Sequence, residues 1–165
     1  GALLYIMAHG LAKGGLFLCA GIIEHGTHTK DMTKMGGLFK KMPITATAYL
    51  ICALSIAGIP PMAGFFAKWF VISGMMFGGY RVLAILAILT AILTLIYMLK
   101  SFQTVFLGQS RGEAHHEGTP VMVAVVAILA VLAILVSVFL PMPYALARMA
   151  AAQRTIFSTL AALGR

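Results

Sequence analysis

The stretch Ile56-Ala57-Gly58-Ile59-Pro60-Pro61-Met62-Ala63-Gly64-Phe65-Phe66-Ala67-Lys68-Trp69-Phe70 interrupts what is otherwise a run of apolar, helix-patterned sequence. It cannot be continuous helix. Pro61 lacks an amide donor and drives Pro60 out of the α region, and Pro60 does the same to Ile59. Gly58 and Gly64 tolerate whatever backbone results. Just beyond the break stands Lys68, expected in the first turn or two of a second helical piece. A broken helix carrying an ammonium within an apolar chain is how a membrane protein handles ions.

The flanking sequence supplies the membrane. Of 165 residues, 61% are hydrophobic and 10% charged, and the mean hydropathy is +1.00. A soluble domain carries about a quarter charged residues. The apolar material lies in blocks at 1–23, 44–77, 82–107 and 119–142. A spanning helix takes about 20 such residues, so about four passes fit. The fold class is therefore an all-α integral membrane protein. It has about four transmembrane helices, one of them discontinuous, and a C-terminal amphipathic segment. Residues 1–142 form the membrane portion and 143–165 the tail, where Arg148, Arg154 and Arg165 stand among Ala, Leu, Ile and Phe.

Taken whole, residues 44–77 would be about 51 Å of helix at ~1.5 Å per residue, against a hydrocarbon core of about 30 Å. Each half alone is too short to cross. An inclined, discontinuous helix resolves both problems, and a re-entrant hairpin is the alternative. The backbone groups freed at the break must find protein or water, so the break belongs inside a bundle or beside a cavity.

The net charge of +8 is spread thinly between and after the spans. It reads as topology signal and lipid headgroup contact rather than as a nucleic-acid surface. Six Lys and Arg lie in or beside the loops after the first and third spans (Lys30, Lys34, Lys40, Lys41, Lys100, Arg111), and four lie on the other side (Arg81, Arg148, Arg154, Arg165). The positive-inside rule puts those two loops in the cytoplasm. Cys19 and Cys52 sit in apolar segments without metal-ligand spacing and are expected to be packing residues. Glu24, His25 and His28, and the loop bearing Arg111, Glu113, His115, His116 and Glu117, read as solvated loops rather than metal sites. No cofactor is expected in this chain.

In the first span Tyr5, His9 and Lys13 recur at helical spacing on one stripe, flanked by Gly10, Gly14 and Gly15, which let another backbone or water approach. Lys13 lies too deep to snorkel. A charged Lys at mid-membrane costs roughly 2.5–3.5 kcal/mol. Neutralising a lysine of reference pKa ~10.4 at pH 7 costs about 4.6 kcal/mol. The two costs are close, so small changes in hydration or neighbouring charge tip its protonation state, as a proton relay requires. The plain alternative is a lysine paired statically with an acid on another helix. At Lys68 the partly positive end of the second half-helix opposes the ammonium. In the third span Thr90, Thr94, Tyr97, Ser101 and Thr104 form a single polar stripe. It either bonds neighbouring helices or lines a water-filled route.

Several stretches together resemble one family. They are His9-Gly-Leu-Ala-Lys13-Gly-Gly-Leu-Phe-Leu18, Met35-Gly-Gly-Leu38, Ser55 through Trp69, and Tyr97-Met-Leu-Lys100 with Phe106-Leu-Gly108. The resemblance is to the antiporter-like subunits shared by respiratory complex I, membrane-bound hydrogenases and multi-subunit cation/proton antiporters, and it covers most of residues 1–140. It implies a proton-translocating bundle of about fourteen spans in two inverted repeats with broken helices, of which this chain supplies the last four. On that resemblance Lys13 is a central proton carrier, Lys68 the terminal carrier near the outer exit, and His9 the histidine one turn before the central lysine. Some members carry a further histidine where this chain has Tyr5. The family's input-side Lys–Glu pair lies upstream, so the chain is expected to be the C-terminal portion of a longer module in the inner (plasma) membrane. Its partners would be lipids, the upstream helices and other membrane subunits. The competing readings are a membrane anchor binding quinone or haem without conducting ions, and a purely structural subunit.

Overall fold

A computed structural model describes residues 1–109 and 117–139, and within them every regular element is helical. Helix α1 (Ala2–Thr27) leads through two short 3-10 turns to α2 (Pro43–Ala57). Then follow α3 (Ala63–Phe77), α4 (Arg81–Phe106) and α5 (Pro120–Val138). Arg111, Glu113, His115, His116 and the tail 143–165 lie outside the described residues.

The helices α1, α4 and α5 have the length and apolarity to cross a membrane. Helices α2 and α3, at 15 residues each, reach only about 22 Å apiece at ~1.5 Å per residue. Together they make one crossing. Helix α1 runs antiparallel to the pair in a register that continues through the break. Ile23 shares a core cluster with Met42 and Ala46, Cys19 with Ala48, and Ala12 with Cys52 and Ile56. A Cβ on Gly1 would meet the Val71 backbone. The chain therefore goes on to the far end after the break, as an inclined discontinuous span does, and a re-entrant hairpin is excluded.

Local chemistry sets the ends. Pro43 and Pro120 each open a helix at a position where the missing amide costs nothing. Thr119 caps α5 by accepting from Met122 N. Helix α1 runs one turn beyond the apolar block, through Glu24 to Thr27, because nothing in that polar turn breaks a helix. His28, in the left-handed region at φ 54°, ends it.

Helix α2 is the centre, touching all four other helices. Gly15 brings α1 against it, where a Cβ would press on Cys52 Sγ at 2.5 Å. Gly10 and Gly14 face open space instead. Cys19 and Cys52 are buried free thiols, as expected of packing residues. The segment between α1 and α2 departs from a simple solvated loop. Its lysines point outward and Lys30 pairs with Glu24 at 3.3 Å, yet Met35, Leu38 and Met42 are buried against Ile23, Phe102 and Phe106. The same cluster joins the end of α4 to the start of α2, so the loops after α1 and α4 lie at one end of the bundle.

Candidate functional site

The break places its own chemistry. Gly58 ends α2 at φ 82°, a conformation side chains rarely adopt. A Cβ there would also crowd the Lys68 side chain at 3.0 Å. Gly64, in the first turn of α3, lies flat on the Ser55 carbonyl, and any Cβ would overlap that oxygen. The two half-helices thus meet backbone to backbone.

Helix side chains lean toward the N-terminus, so Lys68, in the second turn of α3, reaches back across the break. Its ammonium donates to Ala57 O at 3.0 Å, a last-turn carbonyl of α2 that has no partner within its helix. The ammonium therefore stands between the negative end of α2, which favours its charge, and the positive end of α3, which opposes it. Only the second of these fields is evident from the sequence.

On its other side Lys68 lines a cavity of about 370 Å³ with Tyr5 of α1 and Thr90 and Thr94 of α4. The remaining lining is apolar, including Ile6, Val71 and Ile72, so it is less polar than the third-span stripe promised. That stripe divides. Thr90 and Thr94 reach the cavity, while Tyr97, Ser101 and Thr104 lie farther along α4. Four of these hydroxyls find an acceptor in their own helix, and Ser101 also bonds Tyr49 of α2. Thr90 donates to Ala87 O at 2.9 Å, Thr94 to Thr90 O at 2.6 Å, Ser101 to Tyr97 O at 2.8 Å and Thr104 to Lys100 O at 2.8 Å. Each oxygen keeps acceptor capacity for water.

His9 stacks on Tyr5 with ring centroids 5.2 Å apart. Lys13 itself is not at the cavity. It stands near the middle of α1, exposed on the outward face of the described bundle, with its ammonium 6.0 Å from the Phe17 ring centre. The structure thus unites Lys68, Tyr5, Thr90 and Thr94, with His9 stacked on Tyr5, and leaves Lys13 on an open flank one turn beyond His9.

Two residues belong to the same frame: Ser137, which the sequence reading does not single out, and Glu117, which it places in a solvated loop. Ser137 Oγ accepts from Ala63 N at 2.8 Å, at the start of α3, and Glu117 Oε1 accepts from Thr45 N at 2.7 Å, at the start of α2. A lone hydroxyl in an apolar span was the only signal for the first. The second had none beyond its acidity.

Apolar spans on a helical bundle, one crossing broken around a lysine, define a multi-pass membrane protein. The NADH:quinone oxidoreductase/Mrp antiporter, TM family matches residues 1–94, and the chain belongs to it. It is 36% identical over 107 residues to NADH-quinone oxidoreductase subunit N of Desulforudis audaxviator, covering 65% of this chain and 21% of that protein. It is 53% identical over 70 residues to hydrogenase-4 component B of Escherichia coli, covering 42% of this chain and 10% of that one. The solved Mrp complex of Dietzia sp. DQ12-45-1b contains a chain that superposes with a TM-score of 0.75 at 25% identity. That match covers 86% of this chain and 36% of the other. The chain therefore spans about a fifth of the length of the first of these relatives.

Proposed function

We propose that this chain is the C-terminal portion of a proton-translocating subunit of a complex I-, hydrogenase- or antiporter-type assembly in the plasma membrane. Lys13 and Lys68 act in it as successive proton carriers, with His9 between them. The observation that carries this reading is the Lys68 ammonium, held by one main-chain carbonyl at a helix break and open on its other side to a cavity. A lysine in that position has something to hold its proton and somewhere to pass it. Two lysines charged together repel, which favours handing one proton onward over storing two. Redox chemistry or cation exchange in partner subunits would drive the transfer. The outward face bearing Lys13 supports further helices, since an ammonium at mid-membrane is costly against lipid. Upstream helices of the same module are the natural cover.

Lys13 provides the test of the relay. Lys13→Met is expected to assemble and to lower proton uptake by at least about tenfold, a barrier change of ~1.4 kcal/mol or more. Lys13→Arg keeps the charge but cannot release a proton, and is expected to fail almost as badly. Uptake in vesicles carrying the whole complex, with assembly followed on a native gel, makes the comparison. Parental uptake by assembled Lys13→Met would make Lys13 a structural lysine.

Orientation has its own test. The loops after α1 and α4 are expected on the cytoplasmic side. With Cys19 and Cys52 buried, Lys30→Cys offers a membrane-impermeant maleimide an exposed site, and labelling is expected in inside-out vesicles only. Labelling confined to right-side-out vesicles would reverse the topology.

A further inference from the structure

The amide of Ala63 is freed by the break and points away from α2, toward α5. There Ser137 meets it, with Oγ accepting at 2.8 Å. The hydroxyl hydrogen is engaged elsewhere, since Ser137 Oγ also lies 2.7 Å from its own-helix acceptor Ala133 O. Donating to that carbonyl orients an oxygen lone pair at the Ala63 N–H. Met62 Sδ, the last residue before α3, lies 3.8 Å from the same oxygen. Ser137 is part-buried in a span otherwise made of Ala, Val, Leu, Ile and Met after its opening Pro120. Its hydroxyl is the one side-chain oxygen within Pro120–Val138.

Besides its packing on α1 and α4, the first two turns of α3 make three close contacts across the break. Gly64 lies on the Ser55 carbonyl, and Lys68 Nζ donates to Ala57 O. Both of these join α3 to α2, and both are lost together if α3 slides or tilts. The third, Ala63 to Ser137, is the hydrogen bond that ties the start of α3 to a helix other than α2. The segment just before α5 is itself anchored to the start of α2, where Glu117 Oε1 accepts from Thr45 N at 2.7 Å. Helix α5 runs from near the first turn of α2 to the first turn of α3 and holds both against it. Lys68 follows Ala63 by five positions, about one and a half helical turns. A displacement at Ala63 therefore moves the lysine almost fully.

We propose that Ser137 is a positioning residue for Lys68: by holding the Ala63 amide it fixes the start of α3 so that the ammonium rests on the Ala57 carbonyl. It touches no transferred proton. This rests on the reading of Lys68 as a carrier. Without the hydroxyl, the Ala63 N–H is orphaned where water is scarce, and α3 shifts to find an acceptor.

The test uses the whole complex in vesicles, with uptake normalised to assembled complex on a native gel. Ser137→Ala removes one oxygen and leaves the packing nearly intact. Ser137→Val and Ser137→Thr have the same shape and differ in the hydroxyl. All three are expected to assemble. Ser137→Ala and Ser137→Val are expected to pump about tenfold more slowly, which corresponds to ~1.4 kcal/mol, while Ser137→Thr recovers most of the parental rate. If Ser137→Ala pumps at the parental rate, or if Ser137→Thr is no better than Ser137→Val, the positioning role is overturned. Lys68→Met measured alongside separates the two claims. If it blocks uptake while Ser137→Ala does not, only the role of Ser137 fails. If Lys68→Met pumps normally, the carrier reading fails, and the positioning role with it.

Discussion

Gly64→Ala is expected to separate the two halves of the broken helix. The new methyl group has nowhere to go, because its site is occupied by the Ser55 carbonyl oxygen, a main-chain atom held in the last turns of α2. Flexible side chains can swing away from such an intrusion, but a helical carbonyl cannot. Helix α3 must lift, and the overpacking costs about 1–3 kcal/mol. Lifting α3 also draws the Lys68 ammonium from Ala57 O, a charge-assisted bond of roughly 1.5–3 kcal/mol. Both losses fall on one contact surface, so the expected result is poor assembly on a native gel and little uptake from what does assemble. Gly74→Ala, in the same helix but with open space around it, is expected to assemble at the parental level. A Gly64→Ala complex that assembles and melts like the parent would show that the halves do not meet as described.

Much of this frame was legible in the sequence, because its cause is covalent. Two successive prolines forbid helix, and the lengths on either side force a discontinuous span. The structure shows the break where those residues put it, with Gly58 and Gly64 at the two points where a side chain is excluded. The common end of the loops after α1 and α4 followed equally from counting spans.

What stayed hidden depends on contacts between distant segments. Met35, Leu38 and Met42 are apolar residues scattered among lysines and glycines. Nothing in their spacing says that they fold inward against Phe102 and Phe106. The spacing of the hydroxyls on α4 was legible, but their use was not. Any Thr or Ser on a helix can reach the carbonyl a turn back, so the same pattern serves a self-satisfied helix and a wet path alike. Ser137 carries no periodicity at all, and its role exists because α5 passes the break. The field of the α2 carbonyls on Lys68 likewise arises in the fold, from a lysine leaning back over a gap. For Lys13 the depth along its span was legible, and the described helices leave its flank uncovered.

Lys68→Met is the substitution on which the functional account turns. Methionine keeps much of the length and apolar stem of lysine, so the packing beside Gly58 and Val71 is nearly retained, while the proton-bearing nitrogen is removed. The Ala57 carbonyl loses its donor, a penalty of about 1–3 kcal/mol that an assembled bundle can bear. Lys68→Arg retains a donor for that carbonyl but cannot release its proton at any working pH. If the lysine matters for charge or packing alone, arginine should restore function. If it matters as a carrier, both variants should fail. The decisive measurement is the initial rate of proton uptake in vesicles carrying the complete complex, per assembled complex, for the parent, Lys68→Met and Lys68→Arg. The carrier role of Lys68 predicts that both variants assemble and fall by at least about tenfold, ~1.4 kcal/mol or more in barrier. Uptake at the parental rate by assembled Lys68→Met would contradict it.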